Sequence, residues 1–361
     1  MRVMHLTTDL DLGGAERVIV DLVRCLRARG VQAAVGGLAE RPGGGRLRAV
    51  LEADGVEVGS AGMRRRLDVR RIGRLTRFVR AWRPDVLHAH LAHAHCVGSL
   101  LRACGLRCPQ VWTHHSVDPR RPARAAFYRF FSGAAACHVY VSEAAARFQR
   151  GRGGRAPWEE VIANGIDLAP FLCVEPGAGP VFGAVGRLAP EKGHDILLRA
   201  FARLAAGRPE ARLLIAGDGP ERAVLERLLG GLGLAGRASL VGFVDDVPGF
   251  LAGLNAFVAP SRWESFGLTL VEALAAGLPC IASRVGGLVE VGGDLVDWVP
   301  PGDAGALCGA MERVGRRPFD PERVRRQRSR VSAFGRETMT DRYMGVYRAL
   351  CDGRRRSPSA T

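Results

Sequence analysis

Short apolar runs of strand length alternate with amphipathic stretches of helix length along this chain, and the alternation breaks once and restarts. In the first half, Arg2–Thr8, Val31–Leu38, Val86–His90, Val111–His114, Val139–Val141 and Val161–Ile162 read as strands. Ala15–Arg29 reads as a helix with Val18, Ile19, Leu22, Val23 and Leu26 on one face, and further helical periods fall near 68–82, 94–103, 123–132 and 143–149. Strands separated by helices predict a parallel sheet covered on both faces. The chain then passes through Pro176, Gly177, Gly179 and Pro180 before strands recur at Val181–Val185, Arg212–Ile215, Ser239–Val241, Ala256–Ala259 and Cys280–Ala282. Helices such as Asp195–Ala206 and Leu268–Ala276 lie between them. The expected fold is α/β, two doubly wound Rossmann-like domains facing a central cleft, because ligands of such sheets bind outside the carboxyl ends of the strands.

The length of 361 residues suits two domains, each large enough for its own core. Uncharged stretches are too short, and too broken by Gly and His, to supply the roughly 20 apolar residues of a membrane span. The N-terminus enters a strand-like run at once, without the apolar core of a secretion signal. Nine cysteines occur singly, without a CxxC, which favours reduced thiols in a cytosol over a disulfide scaffold or zinc ribbon. The formal net charge of +16 predicts affinity for phosphate-rich partners, whether nucleic acid, anionic lipid or a phosphorylated substrate. Residues 1–176 hold 27 basic and 16 acidic groups, so the first half carries most of the excess, concentrated at Arg64–Arg66, Arg70–Arg83 and Arg120–Arg129. Of 52 Lys plus Arg, only Lys192 is lysine. Where arginine is the default cation, one retained lysine marks a position that needs a compact ammonium.

Four segments carry chemistry. Asp9-Leu-Asp-Leu-Gly-Gly-Ala-Glu16 joins strand one to helix one, and Gly13 and Gly14 let backbone approach a ligand at a helix N-terminus. Asp9 and Asp11 form a DxD, but nothing around it supports a metal site. Gly186-Arg-Leu-Ala-Pro-Glu-Lys-Gly-His-Asp195 follows the first strand of the second domain, placing Arg187 and Lys192 on one loop where both can reach a diphosphate. Pro260-Ser-Arg-Trp-Glu-Ser-Phe-Gly-Leu-Thr-Leu-Val-Glu272 runs from a strand end into a helix. On one straight helix Glu264 and Glu272 would stand about 12 Å apart; with Glu264 in the loop they can serve different parts of an elongated ligand. The fourth group is His88, His90, His93 and His95 with His114 and His115, a polar cleft wall in preference to a metal site, since no carboxylate stands at ligand spacing.

These pieces together resemble the retaining glycosyltransferases of family 4, which have the GT-B fold. The matching residues are Gly13-Gly-Ala-Glu16, Thr113-His-His-Ser116, Val141-Ser-Glu143, Asn164-Gly-Ile-Asp167, Gly186-Arg-Leu with Glu191-Lys-Gly193, Gly217-Asp-Gly-Pro220, and Glu264-Ser-Phe-Gly-Leu to Glu272, the family's E-x7-E, in family order over about residues 1–315. The resemblance implies transfer of a sugar from a nucleotide diphosphate sugar with retention and without a metal or other cofactor. It implies that Arg187 and Lys192 hold the diphosphate. Glu264 would meet the donor sugar with Ser265, Phe266, Gly267 and Leu268 nearby, and Glu272 would meet the ribose. Phe243 and Val244 would lie at the base, and Gly13 and Gly14 would close over the donor. Aligning Thr113-His-His-Ser places His115 near the reacting sugar and His114 in a variable slot, which leaves open which of them contacts substrate. Glu16, His90 and His114 are expected on the acceptor side.

The expected domains are 1–172 on the acceptor side and 173–330 for the nucleotide sugar. A segment 331–352 follows, whose helix Thr338–Leu350 crosses back to the first domain, and then a frayed tail, 353–361. A glycan or lipid-linked acceptor is expected. The periodic stretch Leu67, Arg71, Leu75, Phe78, Val79, Trp82 either rests on an anionic membrane surface or packs on its own sheet beneath a solvated basic face. The expected location is the cytoplasm, peripheral to the inner face of the membrane, and the expected role is bacterial envelope glycan or glycolipid assembly. Two rivals remain: a nucleotide-sugar epimerase of the same fold, and a basic nucleic-acid-binding protein. The second has no recognisable binding motif and few aromatics for stacking, so no nucleic-acid partner is expected.

Overall fold

The computed structural model describes the chain except residues 10, 12, 40–44, 64–67, 117–121, 154–156, 175–176, 178, 318–319 and 354–361. Arg64–Arg66, Leu67, Arg120 and the tail from Arg354 therefore lie outside the described residues. Two compact units are present: Met1–Ile166 with Phe334–Thr361, and Asp167–Ala333. The first boundary falls at 166/167, ahead of the expected 172/173.

Unit 1 alternates β1 (Arg2–Thr7), α1 (Gly14–Ala28), β2 (Gln32–Ala39), α2 (Arg46–Ala53), β3 (Glu57–Met63), α3 (Val69–Trp82) and β4 (Val86–His90). It continues through α4 (Leu91–Ala103), β5 (Gln110–His114), α5 (Pro122–Phe131), β6 (Cys137–Tyr140), α6 (Glu143–Arg150) and β7 (Glu159–Val161). The strands form one sheet in the order β3-β2-β1-β4-β5-β6-β7, with every described pairing parallel. Central strands are buried on both faces, so β4 and β5 have no polar-out alternation and accommodate His88, His90 and Thr113 in the interior. The expected stripe Val18, Ile19, Leu22, Val23, Leu26 is the buried face of α1. On α3, Ile72, Leu75, Val79 and Trp82 join the core while Arg74, Arg77 and Arg80 are exposed. The apolar stripe of this helix therefore packs on its own sheet, leaving an arginine face to solvent.

Unit 2 begins with α7 (Ala169–Leu172) and runs β8 (Val181–Val185), α8 (His194–Gly207), β9 (Arg212–Ala216), α9 (Arg222–Gly231), β10 (Ala238–Gly242) and α10 (Val247–Ala252). Then come β11 (Ala256–Ala259), α11 (Leu268–Ala275), β12 (Cys280–Ser283), α12 (Gly286–Gly292), β13 (Val296–Val299), α13 (Ala304–Val314) and α14 (Pro321–Val331). Its parallel sheet has the order β10-β9-β8-β11-β12-β13. One face of α8, with Leu197, Ala200, Phe201 and Leu204, fills the core between the sheet and α13. Asp303 and Asp320 cap α13 and α14 by accepting backbone N–H groups of the first turn.

The final helix, α15 (Arg336–Cys351), belongs to unit 1 and packs on α1. Its buried Tyr343 and Tyr347 reach the middle of the sheet: the Tyr347 hydroxyl lies 2.6 Å from His88 Nδ1, and the Tyr343 hydroxyl 3.0 Å from Thr113 Oγ1. Arg29 adds an ion pair to Asp341 at 3.0 Å.

Candidate active site

In unit 2 the strand order reverses between β8 and β11, and the crevice of a doubly wound sheet opens at such a point. The loop carrying Arg187 and Lys192 leaves β8 there, and the loop carrying Glu264 leaves β11. Their ends meet directly: Lys192 Nζ donates to a carboxylate oxygen of Glu264, in an ion pair that is largely shielded from solvent. The sequence suggests separate partners for these two side chains, whereas the fold makes them partners of each other. Arg187, on the same loop as Lys192, is exposed.

Backbone approach holds this pair in place. Gly193 adopts φ +66°, and a Cβ there would collide with the Pro260 carbonyl, so glycine is required for the two loops to touch. Gly286 lies equally close to the Glu264 carbonyl, which also accepts the Gly287 N–H at 3.1 Å. Arg262 ties the loops further. Its guanidinium donates to both Asp195 oxygens at 2.8 and 2.7 Å and to the Pro190 carbonyl at 2.8 Å, while its backbone N–H donates to the Glu191 carbonyl at 2.8 Å. Burial raises the pKa of the Asp195 carboxyl, but the Arg262 hydrogen bonds and charge outweigh it and hold the group below its ordinary value. Arg262, Asp195 and Gly286-Gly287 escape sequence reasoning because each acts on a loop distant in the chain.

Ser265 and Phe266 are buried, Gly267 caps α11 at φ +103°, and Leu268 opens the helix. Glu272 lies within α11 and is 4% exposed, a carboxylate among Leu270, Val271, Ala273 and Leu274. Phe243 follows β10 with 48% of its surface exposed, and Val244 is half-buried next to it.

In unit 1 the reversal falls between β1 and β4. A cavity of about 210 Å³ opens at the carboxyl ends of β1, β4 and β5, with Asp9, Glu16, His93, His115, Ser116 and Arg152 among its lining residues. Glu16 sits in the first turn of α1 with its carboxylate folded against Gly13, so the helix end that Gly13 and Gly14 offer to an anion already faces one of its own. Burial pushes the Glu16 carboxyl up to about 7, against its own backbone hydrogen bond and with help from Asp9 and Asp11. Leu91, also on the lining, has φ +70°, a conformation that costs a side-chain-bearing residue about 1–2 kcal/mol.

The histidines divide by depth. His115 is partly exposed on the cavity lining. His114 also borders the cavity but is 5% exposed, with Nε2 3.3 Å from His138 Nδ1 and its ring stacked on Tyr140. Of the two, His115 is the more exposed on the cavity lining. His90, expected on the acceptor side, does not reach the cavity: it is 1% exposed, with one ring nitrogen 3.1 Å from His5 and the other 3.0 Å from His115. His95 is fixed by the Tyr128 hydroxyl at 2.8 Å and the Ala89 carbonyl at 3.2 Å. His5, His88 and His90 come within metal-ligating distance of one another. Both nitrogens of His88 already have partners, Tyr347 at 2.6 Å and Thr113 at 2.7 Å, so a cation there would have to break the bonds that hold α15. His5 was not legible as part of this group from sequence.

Family models for "Glycosyltransferase Family 4" and "Glycosyl transferases group 1" match residues 12–170 and 174–331. The chain is 31% identical over 304 residues to the glycogen synthase of Mycobacterium tuberculosis, an alignment covering 76% of this chain and 71% of that one. The chain belongs to the family 4, group 1 glycosyltransferases. A second relative of this family 4 chain, the lipopolysaccharide core biosynthesis glycosyltransferase LpsE of Rhizobium meliloti, is 29% identical over 360 residues, covering 95% and 98% of the two. Against two Streptomyces kanamyceticus relatives, the chain spans 36% and 46% of their length. The structure of Anabaena HepE in complex with UDP and glucose superposes with a TM-score of 0.83 at 22% identity, covering 97% of this chain and all of that one, and shows that the family 4 chain has the GT-B fold.

Proposed function

We propose that the protein is a retaining, metal-independent glycosyltransferase. It moves a hexosyl group from a nucleotide diphosphate sugar to a hydroxyl acceptor in bacterial envelope polysaccharide, lipopolysaccharide or glycolipid assembly. The observation that carries this reading is the Lys192–Glu264 pair, set at the switch point of the unit 2 sheet by glycine contacts and the Arg262 clamp. Arg187 and Lys192 bind the donor diphosphate, Glu264 orients the sugar and Glu272 the ribose, while the exposed Phe243 ring, with Val244, flanks the base. As the bond between the anomeric carbon and the diphosphate oxygen breaks, its electron pair passes to the diphosphate. The fixed cations stabilise that charge without reorganising. The acceptor oxygen bonds the anomeric carbon on the face that the diphosphate leaves, and its proton passes to the departing diphosphate oxygen. Gly13 and Gly14 supply backbone N–H groups to the donor, and the cavity of unit 1, with Glu16 and His115, takes the acceptor hydroxyl.

A solved relative holding UDP-glucose and two lipopolysaccharide core relatives support the donor and the setting. Among the described residues no helix is long and apolar enough to cross a membrane. A lipid-linked acceptor is reached by peripheral contact with an anionic surface at the cytoplasmic face. A thermal-shift screen with nucleotide diphosphates and their sugars, in excess chelator, tests the donor site. Wild type is stabilised and turns over sugar; Lys192→Ala and Glu264→Ala stay folded and lose both the shift and at least about 100-fold in turnover. Near-normal turnover in both variants sinks the reading.

A further inference from the structure

We propose that His90 and His5 are positioning residues that fix which ring nitrogen of His115 carries the proton. This rests on the reading that His115 meets the substrate. The three rings stand on neighbouring strands at the carboxyl end of the unit 1 sheet: His5 in β1, His90 ending β4, and His115 just past β5. His5 Nδ1 lies 3.1 Å from His90 Nε2, and His90 Nδ1 lies 3.0 Å from His115 Nε2. Successive ring planes are inclined by 20° and 27°. Burial lowers the basicity of all three, to about 3 for His5, well below the ordinary value for His90 and to about 4 for His115, so each ring is neutral near pH 7.

A neutral imidazole has one N–H and one lone pair. Two hydrogen bonds in series then permit only two proton arrangements. In one, all three rings are protonated at Nδ1; in the other, all three are protonated at Nε2. The ends of the chain decide between them. His5 Nε2 and His115 Nδ1 are both buried without a hydrogen-bond partner among the described residues. The all-Nε2 arrangement leaves a donor stranded at His5, which is 0% exposed and does not line this cavity. The all-Nδ1 arrangement puts the unpaired donor on His115, the one ring of the three that lines the cavity. The chain therefore presets His115 as an Nδ1–H donor, suited to a sugar hydroxyl or phosphate oxygen acting as acceptor, and it does so without any charge.

The test is the ring ¹⁵N spectrum of the full-length protein labelled in histidine, with His115→Ala assigning the signals. Wild type shows His115 protonated at Nδ1. His90→Leu and His5→Phe move His115 toward the Nε2–H form that a free imidazole prefers, while His90→Gln, which keeps one donor and one acceptor at that position, retains Nδ1–H. In a sugar-transfer assay His90→Leu lowers kcat about tenfold or more with a smaller change in donor KM, and His90→Gln recovers part of it. An Nε2–H signal for His115 in wild type, or an unchanged one in His90→Leu and His5→Phe, overturns the proposal. The spectra stand whether or not sugar transfer is the reaction, so failure of the relay and failure of the functional reading are told apart.

Discussion

At the scale of residues, burial moves Glu16 and His115 on the unit 1 cavity away from their aqueous behaviour. Glu16 is the clearest case. Its folded-state pKa of about 7 exceeds its ordinary 4.5, so between these values the folded protein holds a proton that the unfolded chain has released. Stability then falls as pH rises through this window. Glu16→Gln removes that loss. Urea unfolding should show the variant gaining over wild type, by about 1 kcal/mol more at pH 8 than at pH 6. An equal gain at both pH values would mean that the carboxyl ionises normally in the fold. Lys192 shows a different arrangement, its ammonium placed directly against the Glu264 carboxylate. The lone lysine of an arginine-rich chain was legible as special in sequence; its partner was not.

At the scale of elements, helices with long apolar stripes, central strands and the edge strand β10 were legible, whereas the edges β3 and β13 were not. The expected β8 and β11 coincide with the observed spans, and the expected helix 268–276 is Leu268–Ala275. β3 was missed because Glu57–Met63 is an edge strand of small residues, half exposed along most of its length, with no continuous apolar run. β13, the edge strand Val296–Val299 of the other sheet, was missed because it is four residues long and Asp297 interrupts its apolar run. The basic stretch left open between a membrane surface and its own sheet resolves into α3, whose apolar face packs in the core. The candidate for surface contact moves to the end of α5, where Phe130 is 77% and Phe131 51% exposed beside the exposed Arg129. Two exposed aromatics with an arginine suit the interface of an anionic bilayer. Phe130→Ser with Phe131→Ser should weaken sedimentation with phosphatidylglycerol vesicles at low salt severalfold without changing the fold. Equal sedimentation would exclude α5 as the contact.

At the scale of the whole molecule, the two units differ in how they respond to acid. His5, His88, His90, His95, His114, His115 and His138 in unit 1 all have lowered pKa values, burial being the largest cause in each. In unit 2 only His194 is shifted in this way among the described residues. Below pH 6.5 the unfolded form of unit 1 takes up protons that the folded form refuses. Each such group removes about 1.4 kcal/mol per pH unit until its folded pKa is reached. Seven such groups against one make the acid sensitivity of unit 1 the steeper of the two. On acidification below pH 6.5, unit 1 should therefore lose protection at a higher pH than unit 2, as read by hydrogen exchange of peptides from each. Simultaneous unfolding of both units below pH 4 would contradict this.

By itself the sequence determined the two α/β repeats, the loops that leave each strand, and the motif residues on those loops, because periodicity and turn chemistry are local. Only the tertiary structure decided who meets whom. Lys192 finds Glu264 across 72 residues, His5 finds His90 across 85, and Tyr347 finds His88 across 259. Such pairings follow from the order of parallel strands in a sheet, and that order is set by how buried faces pack together, which no local pattern records.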